Sequence, residues 1–568
     1  MTFVALGTLV GGALSGCSDS FGDGGVTGAV TGFFRDDPAP SVAQNASTAA
    51  PKKIAVGAIT NEAVFFGVAA GDEPNSVLAA DNVLKAGGTA ADAATALALS
   101  LTVTSPSAAS LGGGGMCLVH SPADGKTEAL DFIAPAPARP DPSADRPGAV
   151  PAMLRGIAAL HARYGSVDFR SHLGKAEQLA RFGHVVSRAS ASDFALSAGP
   201  LFADAAAQRI FARADGHPHG EGDRLVQQDL AEFLAELRVQ GIGEFYDGAL
   251  AEKFVRAARA AGAGLTVSDM RGFTPRWLKP IQIPYKDQIL KFAPPPAVGG
   301  LAVSQMWHML AANDRYREAD DAERLHLLAE AAKRAFGLRD QWPDSVDNGT
   351  AVRLLGDPSD AVRSMRTYDP ARATPSGQLD AKPRGTPENP SQTSFVVVDL
   401  VGQAVVCTLT NYNLFGTGRV APGTGGVMAA APGRGNRNAL SLGGMVSVDA
   451  DGQGLRFAAS SSGGGAAATA LMRVAAETLM SEKTLERAMT GPRIHHGGAP
   501  DIALAEMDVP DSIVERVRRK GHRVERAPSL GRVNAVECPL GLGTGSEEVA
   551  CFVAADPRGH GLGSEAER

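Results

Sequence analysis

The feature that most constrains the fold is a pair of apolar runs within residues 389–429. The first run is Phe395-Val396-Val397-Val398, and the second extends from Ala404 to Thr410. The polar stretch Asp399-Leu400-Val401-Gly402 separates the two runs and is typical of a turn. Apolar, β-branched runs joined by such a turn predict a β-hairpin that is buried in a sheet.

Two small hydroxyl residues, Thr393 and Ser394, stand directly before the first run. One interpretation is an ordinary buried strand in which neither hydroxyl has a chemical role. The other is a nucleophile that cuts the peptide bond before it, after which the freed α-amine serves as general base to the same hydroxyl. On this second interpretation Thr393 is the candidate nucleophile, and Ser394 is the second choice.

Composition excludes several classes of protein. The chain has 568 residues, 44% of them hydrophobic, and a mean hydropathy of −0.04, as expected for a soluble globular protein with a large core. That length allows two to four domains or one large α/β assembly. A net charge of −7 without a Lys/Arg run argues against a nucleic-acid partner. No phosphate-binding loop, dinucleotide fingerprint or zinc motif occurs, so neither a cofactor nor a metal is predicted.

The N-terminus resembles a bacterial lipoprotein signal. Residues 1–14 are almost wholly apolar but too short to span a bilayer, and they end in Leu14-Ser15-Gly16-Cys17. The resemblance implies that Cys17 is lipidated after removal of the signal, and that Ser18 favours the outer membrane. A misassigned start or a buried Cys is the alternative. The expected protein is periplasmic and membrane-anchored, with residues 18–52 as a flexible tether.

The four remaining cysteines divide into two pairs. Cys538 and Cys551 flank a Gly-rich stretch that could fold back, and an oxidising compartment would permit a disulfide between them. The sequence leaves that pairing open. Cys117 and Cys407 lie in apolar, strand-like runs and are interpreted as buried thiols.

Periodicity predicts an alternation of helices and strands. A strand is expected at residues 67–70, followed by a helix at 77–85 that Ser76 caps. Further helices are expected at 90–103, 155–164, 176–182, 230–240, 249–261, 325–338 and 469–480, and further strands at 117–120, 444–448 and 454–459. Residues 350–390 are polar and rich in proline, which predicts an exposed connector.

A series of short motifs occurs in the order of one known family. They include VLKAGGTAADAATALAL (from Val83), SPSAASLGGGGMCLVH, FAPPPAVGGLA, TSFVVVD, SSGGG and AMTGPRIHH. Each is weak alone, but their joint order from about Gly67 to Gly561 resembles the γ-glutamyltranspeptidases and their acylase relatives. The resemblance implies an α/β fold, the four-layer αββα sandwich of N-terminal-nucleophile hydrolases. It also implies one precursor cut into a large-subunit region, 53–392, and a small-subunit region, 393–568.

The resemblance places a catalytic group at the head of the hairpin. It implies that Thr393 is the nucleophile after cleavage of the Gln392–Thr393 bond, and that Thr410 orients its hydroxyl. Backbone N–H groups of Gly463 and Gly464 correspond to the oxyanion hole. Counted back from the turn without a gap, however, the nucleophile position falls on Gln392. If this chain has lost one residue relative to the family, the nucleophile position falls on Thr393 instead. Because side chains alternate along a strand, the two alignments place opposite faces of the strand at the site.

Residues for the substrate match less well. Ser441 corresponds to the first of two serines near the substrate carboxylate, while Leu442 replaces the second. A substrate-binding Asn of the family is Tyr412 here, with Asn411 and Asn413 on either side.

Both charged anchors of a glutamyl group are replaced. An Arg that binds its carboxylate in the family corresponds to Ile133, and the segment that should supply an acid for its amine, residues 429–433, has none. An Ile cannot make a bidentate pair with a carboxylate. Arg139, Arg419 and Arg434 are the possible substitutes. His495 and His496 are interpreted as structural residues rather than metal ligands.

The function implied by the resemblance is a self-cleaving amidase. It would hydrolyse or transfer a γ-glutamyl or related acyl group from a small-molecule amide, with glutathione as the substrate of the wider family. The alternative is a non-catalytic periplasmic lipoprotein that retains the fold as a binding module.

Overall fold

The computed structural model describes residues 65–337, 358–379, 390–433, 442–543, 545–546 and 549–567. The predicted signal and tether, and with them Cys17, lie outside the described residues, as do Ser441 and Arg434. Among the described helices, none has the length and apolar character needed to cross a membrane.

The strands are numbered in chain order. They are β1 (Phe65–Gly71), β2 (Gly114–Ser121), β3 (Lys126–Phe132), β4 (His184–Val185), β5 (Arg224–Leu225), β6 (Arg276–Leu278), β7 (Ile281–Tyr285), β8 (Gln288–Phe292), β9 (Pro390–Asp399), β10 (Ala404–Asn413), β11 (Val420–Ala421), β12 (Gly426–Val427), β13 (Gly444–Asp449), β14 (Leu455–Ser462), β15 (Ile494–His496), β16 (Ala503–Glu506), β17 (Val524–Ala527), β18 (Arg532–Leu542), β19 (Phe552–Ala555) and β20 (Leu562–Glu567).

The α-helices are numbered in the same way. They are α1 (Pro74–Lys85), α2 (Ala90–Thr104), α3 (Met153–Tyr164), α4 (Phe169–Phe182), α5 (Arg188–Leu201), α6 (Ala205–Phe211), α7 (Gln228–Gln240), α8 (Ile242–Asp247), α9 (Ala249–Ala260), α10 (Val267–Gly272), α11 (Val298–Ala311), α12 (Arg315–Glu318), α13 (Asp321–Gly337), α14 (Pro358–Ser364), α15 (Ala467–Ala475), α16 (Leu485–Thr490) and α17 (Asp511–Arg519).

Two antiparallel sheets form the centre of the molecule. The first has seven strands in the order β20-β1-β9-β10-β2-β3-β6, and the second has six in the order β19-β18-β14-β13-β8-β7. Val396 and Val398 of the first sheet pack against Val446 and Val536 of the second. The predicted hairpin is β9–β10, with Val398 opposite Ala404.

Helices cover the outer face of each sheet. Phe395 and Val397 of β9 pack with Leu97 of α2 on one side. On the other side, Phe292 of β8 packs with Leu328 of α13 and with residues of α11 and α15. The layers therefore run helix, sheet, sheet, helix, and the αββα prediction is confirmed.

Both faces of β9 are thus buried, and its side chains alternate between two environments. Phe395 and Val397 face the helices, whereas Val396 and Val398 face the second sheet. Continued toward the start of the strand, this alternation assigns Thr393 to the helix face and Gln392 to the inter-sheet face. This assignment decides the geometry of the candidate site.

The structure corrects the interpretation of Cys117 and Cys407 as free thiols, because these residues form a disulfide. They lie directly opposite each other on β2 and β10, with their Cα atoms 4.1 Å apart. The two cysteines are neighbours only because β2 pairs with β10. Their separation in the sequence gave no sign of that pairing. Cys538 and Cys551 also form a disulfide, so the pairing that the sequence left open is made.

Two smaller predictions also need correction. Glu73, rather than Ser76, caps α1, because its carboxylate accepts the Ser76 backbone N–H at 2.9 Å and Pro74 begins the helix. The predicted connector at 350–390 is not wholly exposed. In its described part, α14 is present and Met365, Thr374 and Ser376 are buried.

Candidate active site

The head of β9 lies against a glycine-rich turn of the second sheet. Gln392 is 5% exposed, and its side-chain oxygen accepts the backbone N–H of Gly464 at 3.3 Å. The amide oxygen therefore occupies the position where Gly464 would stabilise an oxyanion. The residue that the ungapped register puts in the nucleophile position is the one that contacts the glycine pair.

The two glycines adopt backbone conformations that other residues rarely take. Gly463 has a φ of 104° and Gly464 a φ of 73°. A Cβ on Gly463 would lie 2.9 Å from the Cα of Gly531. A short turn, Gly464–Ala466, then leads into α15, so the Gly464 N–H lies at the positive end of a helix. The turn can therefore stabilise negative charge on a nearby oxygen.

Thr393 faces away from that turn in the uncut chain. Its side chain is on the helix side of the sheet, and the residue is 2% exposed. Its Oγ1 is buried without a hydrogen-bond partner among the described residues. A buried hydroxyl with no partner is uncommon and leaves the oxygen free to act as a nucleophile.

The carbonyl before Thr393 is polarised by a cation. Arg532 donates from NH2 to the main-chain oxygen of Gln392 at 3.2 Å, and from Nε to Ser462 Oγ at 3.1 Å. This carbonyl belongs to the peptide bond that self-cleavage would break. Negative charge that develops on its oxygen during attack by Thr393 would therefore meet a guanidinium.

A buried carboxylate joins the two sheets beside these groups. Asp72, at the end of β1, accepts the Ser394 N–H at 2.9 Å and the Ser462 hydroxyl at 2.6 Å through Oδ2. Its Oδ1 accepts Asn534 Nδ2 at 2.8 Å. The same amide nitrogen lies 2.9 Å from Ser394 O and 3.0 Å from Ser394 Oγ. This hub of Asp72, Ser394, Ser462 and Asn534 fixes the position of β9 against β14 and β18.

Sequence reasoning missed Asp72, Arg532 and Asn534. They come from β1 and β18, which lie more than 450 residues apart in the chain, and none of them belongs to a recognised motif. A polar residue at the end of a predicted strand was the only available signal. Such a signal is too common to identify a site.

The other predicted catalytic residue, Thr410, lies next to the same segment. Its Oγ1 donates to Ser391 O at 2.6 Å and accepts the Tyr412 N–H at 2.7 Å. The Thr410 hydroxyl thus hydrogen-bonds the backbone of Ser391, which precedes Gln392, and the backbone of Tyr412 at the irregular register of β10. A role in orienting the nucleophile stays a prediction.

The two candidate asparagines have different surroundings. Both halves of the Asn411 amide are used, since Oδ1 accepts Ser110 Oγ at 2.8 Å and Nδ2 donates to Pro106 O at 3.0 Å. Asn413 instead lines a cavity of about 260 Å³ together with Arg146 and Thr417. Its Oδ1 is buried without a partner in the described part of the chain. Asn413 is therefore the better placed of the two to contact a ligand.

Comparison with known proteins identifies the family. A family model described as gamma-glutamyltranspeptidase matches residues 76–431 and 436–566. The chain belongs to the γ-glutamyltranspeptidase family. It is 28% identical over 498 residues to the glutathione hydrolase proenzyme of Escherichia coli (strain K12), covering 80% of this chain and 85% of that one. It is 27% identical over 531 residues to the acylase ACY 1 proenzyme of Pseudomonas sp. (strain V22), covering 86% and 92%.

A solved structure supports the same fold. A cephalosporin acylase from Bacillus halodurans superposes with a TM-score of 0.75 at 23% identity, covering 89% of this chain and 97% of that one. Together with the family match, this makes the chain a γ-glutamyltransferase-like N-terminal-nucleophile amidase. The resemblance predicted from the motifs is confirmed.

Within this family member, an apolar cluster surrounds the residues that replace the charged anchors. Tyr412 packs with Ala134, Ala429 and Ala430, and Ile133 lies against them. Tyr412 has a φ of 68°, and its hydroxyl donates to Ala134 O at 2.6 Å. Burial raises the pKa of Tyr412, so the hydroxyl stays protonated and continues to donate.

Of the substitute arginines, Arg419 is already engaged. Its guanidinium makes a bidentate pair with Asp145, at 2.6 and 3.0 Å. Arg139 is exposed, and Arg434 lies outside the described residues. Arg532, which the sequence did not suggest, is the guanidinium in contact with the head of β9.

Two acids close to β9 have raised pKa values. Burial raises the pKa of Asp193, although Arg532 and a 2.6 Å bond from Ser107 Oγ oppose the shift. Burial also raises the pKa of Asp399 to about 6, despite backbone donors that include Ala90 N. Asp193 lies near Arg532, whereas Asp399 is the last residue of β9, at the opposite end of the strand from Gln392.

The paired histidines form hydrogen bonds within the protein. His495 Nδ1 lies 2.9 Å from Thr469 Oγ1, and His496 Nε2 lies 3.1 Å from Asp501 Oδ1. The pKa of His496 is lowered to about 4 by burial and by Lys333, despite Asp501. These contacts agree with a structural role for both.

We expect Asn534→Ala to lower the free energy of unfolding by about 1–3 kcal/mol, because it leaves the buried Asp72 carboxylate and Ser394 short of a donor. Urea unfolding followed by circular dichroism measures this change. Asn82→Ala on the exposed face of α1 is the matched control and should change stability by less than about 0.5 kcal/mol. An equal effect of both substitutions would contradict a stabilising role for the hub.

Proposed function

We propose that the chain cuts its own Gln392–Thr393 bond and then uses Thr393 to hydrolyse or transfer a γ-glutamyl or related acyl group. The observation that carries the proposal is the pairing of a free hydroxyl with a polarised carbonyl. Thr393 Oγ1 has no partner within the described residues, and the adjoining Gln392 carbonyl accepts a bond from Arg532. These are the nucleophile and the oxyanion partner that peptide-bond cleavage requires.

The self-cleavage balances as an acyl shift followed by hydrolysis. Thr393 Oγ1 forms a bond to the carbonyl carbon of Gln392, the C–N bond breaks, and the hydroxyl proton passes to the departing nitrogen. Water then hydrolyses the resulting ester, which leaves a carboxylate on Gln392 and an α-amine on Thr393. Arg532 stabilises the oxygen that is negative during the first step.

Cleavage would also open the acyl-transfer site. While the chain is intact, the side-chain oxygen of Gln392 accepts the hydrogen bond of the Gly464 N–H, so that donor is not available to a substrate. Once the 392–393 bond is cut, Gln392 can leave and Thr393, as a chain terminus, is free to turn toward that N–H. The Thr393 hydroxyl can then attack an amide carbonyl, with its own α-amine as general base. Gly464 would stabilise the tetrahedral oxygen, worth about 3–4 kcal/mol for one such donor.

The substrate proposed is a small-molecule amide whose acyl group need not carry a glutamyl head. The named relatives include glutathione hydrolases and acylases, so both kinds of acyl group occur among them. In this chain Ile133 and its alanine neighbours offer no charge to a zwitterionic head. The alternative is a non-catalytic binding module that retains the fold, in which Gln392 would keep its contact with the Gly464 N–H permanently.

Self-cleavage is tested by reducing gel electrophoresis and intact-mass analysis of the purified protein. Reduction is essential, because the Cys117–Cys407 disulfide would hold the two fragments together. We expect a fragment that begins Thr393-Ser394-Phe395, and a single chain from Thr393→Ala. Arg532→Gln should slow cleavage about 100-fold, since one oxyanion donor is lost, and Arg532→Lys should slow it less.

A single full-length species after reduction, under conditions in which related precursors mature, would rule out this mechanism. That result would leave the binding-module proposal. Cleavage that survives in Thr393→Ala would instead move the nucleophile to another residue, with Ser394 as the next candidate.

Specificity is tested by restoring the missing charge. A charge-assisted contact to a carboxylate is worth about 1.5–3 kcal/mol. Ile133→Arg should therefore raise kcat/KM for a γ-glutamyl anilide roughly 10- to 100-fold and change a neutral acyl anilide little. Ile133→Met is the control for altered packing. A strong preference of the unaltered enzyme for the γ-glutamyl anilide would show that another cation already binds the carboxylate.

We also propose export and lipid attachment at Cys17, with residence in the periplasm on the outer membrane. The support is the Leu14-Ser15-Gly16-Cys17 sequence after an apolar stretch. The protein should partition into the detergent phase of a Triton X-114 extract, and Cys17→Ala should abolish that partitioning. If the unaltered protein remains in the aqueous phase, the lipoprotein interpretation is wrong.

A further inference from the structure

A second cluster of polar groups lies at the other end of β9 from Gln392. Asp92 in the first turn of α2 faces His161 of α3 and His172 of α4. The Asp92 Oδ1 atom lies 3.2 Å from His161 Nε2 and 3.7 Å from His172 Nε2. These three atoms all lie within 4.8 Å of one another, and the two rings meet edge to face at 5.5 Å between centroids. The acyl-transfer mechanism uses none of the three.

The cluster is buried and includes a polar atom with no partner. Side-chain exposure is 0% for Asp92, 2% for His172 and 12% for His161. His172 Nε2 has no hydrogen-bond partner in the part of the chain that the structure describes, although it points at Asp92. A buried imidazole nitrogen without a partner is costly, and a bound ion would satisfy it.

A dense set of hydrogen bonds orients the carboxylate. Asp92 Oδ2 accepts Thr89 N at 3.0 Å, Thr89 Oγ1 at 2.9 Å and Ser166 Oγ at 2.8 Å. Ser166 N and Val167 N reach Oδ1 at 3.0 and 3.1 Å, on an oxygen that also faces both histidines. Supporting bonds of this kind position a ligating carboxylate in metal sites.

A glycine of the main chain also lies beside this cluster. The backbone passes close to the group at Gly165, where a Cβ would lie 2.8 Å from Asp92 Oδ1 and 2.6 Å from His161 Cδ2. Only glycine leaves the carboxylate and the imidazole this close to the chain.

We propose that Asp92, His161 and His172 bind a divalent metal ion of the zinc class. Two imidazoles and a carboxylate are ligands that zinc accepts, whereas magnesium and calcium prefer oxygen alone. Ligands at about 2.0–2.2 Å from a tetrahedral ion lie roughly 3.3–3.5 Å apart, close to the observed separations from Asp92 Oδ1. His161 Nε2 lies 2.7 Å from Val167 O, a hydrogen bond that metal binding would replace. Val167 O is too close to His161 Nε2 to be a neighbouring ligand, so the fourth position would be taken by water.

The ion would tie three helices together at a point far from the catalytic turn. Asp92 is in α2, His161 in the last turn of α3 and His172 in the first half of α4. Asp399, whose carboxylate accepts Ala90 N, marks the end of β9 that lies beside this point. The proposed role is therefore structural, and the proposal departs from the sequence expectation that the protein has no metal site.

A second histidine cluster in the described residues is a poorer candidate. His326, Glu330 and His522 also converge, but Lys333 Nζ is 3.5 Å and Arg334 NH1 2.5 Å from the Glu330 carboxylate. A divalent ion there would add positive charge next to the buried side chains of Lys333 and Arg334, which is unfavourable. The imidazoles already bond each other, with His326 Nδ1 and His522 Nε2 2.7 Å apart. This cluster supplies an internal control.

The test titrates the purified full chain, after dialysis against a chelator, with Co²⁺ and then Zn²⁺. We expect one Co²⁺ per chain with the visible absorption of a four-coordinate ion, displacement by Zn²⁺, and a higher melting temperature with metal. His172→Asn should weaken binding at least about 100-fold. His217→Asn, at an exposed position, and His522→Asn should bind like the unaltered protein.

Absence of one-to-one binding by the unaltered protein would overturn the proposal. Unchanged binding in His172→Asn, or loss in His522→Asn with retention in His172→Asn, would overturn it equally. If His172→Asn fails to fold by circular dichroism, His161→Asn at the more exposed ligand gives the same comparison. Because the readouts are metal binding and melting temperature, the result is independent of self-cleavage and amide turnover.

Discussion

Burial of β9 on both faces is the constraint on which the rest of the structure depends. One face packs on the helices and the other on the second sheet, so the side chains from Phe395 to Val398 alternate between two fixed environments. A shift of one residue would exchange the two faces and bury polar groups among valines. This constraint, rather than any contact of a catalytic hydroxyl, sets Gln392 toward Gly464 and Thr393 away from it.

The candidate site depends on the alternation of side chains at the beginning of β9. Gln392 and Ser394, both on the inter-sheet face, meet Gly464, Asp72 and Asn534. These contacts bring the ends of β1 and β9 of the first sheet next to β14 and β18 of the second. Arg532 adds the charge that polarises the Gln392 carbonyl. In the uncut chain, therefore, Arg532 contacts the Gln392 carbonyl while the Gln392 side chain occupies the N–H of the glycine turn. Cleavage and acyl transfer would use the same few atoms in succession.

The fold matches the family more closely than the residues at the candidate acyl-binding positions do. The sandwich, the hairpin and the glycine turn match the family over most of the chain. At the positions that the motif comparison assigns to the charged anchors of a glutamyl head, this chain instead has an apolar cluster around Tyr412, with Ile133 against it. Such a cluster contributes packing energy and hydrophobic contact but no charge pairing. The core thus retains the family's fold, and the proposed change in acyl-group preference rests on these few apolar replacements.

The sequence by itself determined the fold class, the hairpin, most helix positions and the family, because periodicity and motif order are local properties of the chain. It also located Thr393, Gln392 and the glycine pair. It could not choose between the two registers, find Asp72, Arg532 and Asn534, or pair Cys117 with Cys407. Each of those depends on which strands become neighbours, and strand order is decided by long-range packing of residues hundreds of positions apart.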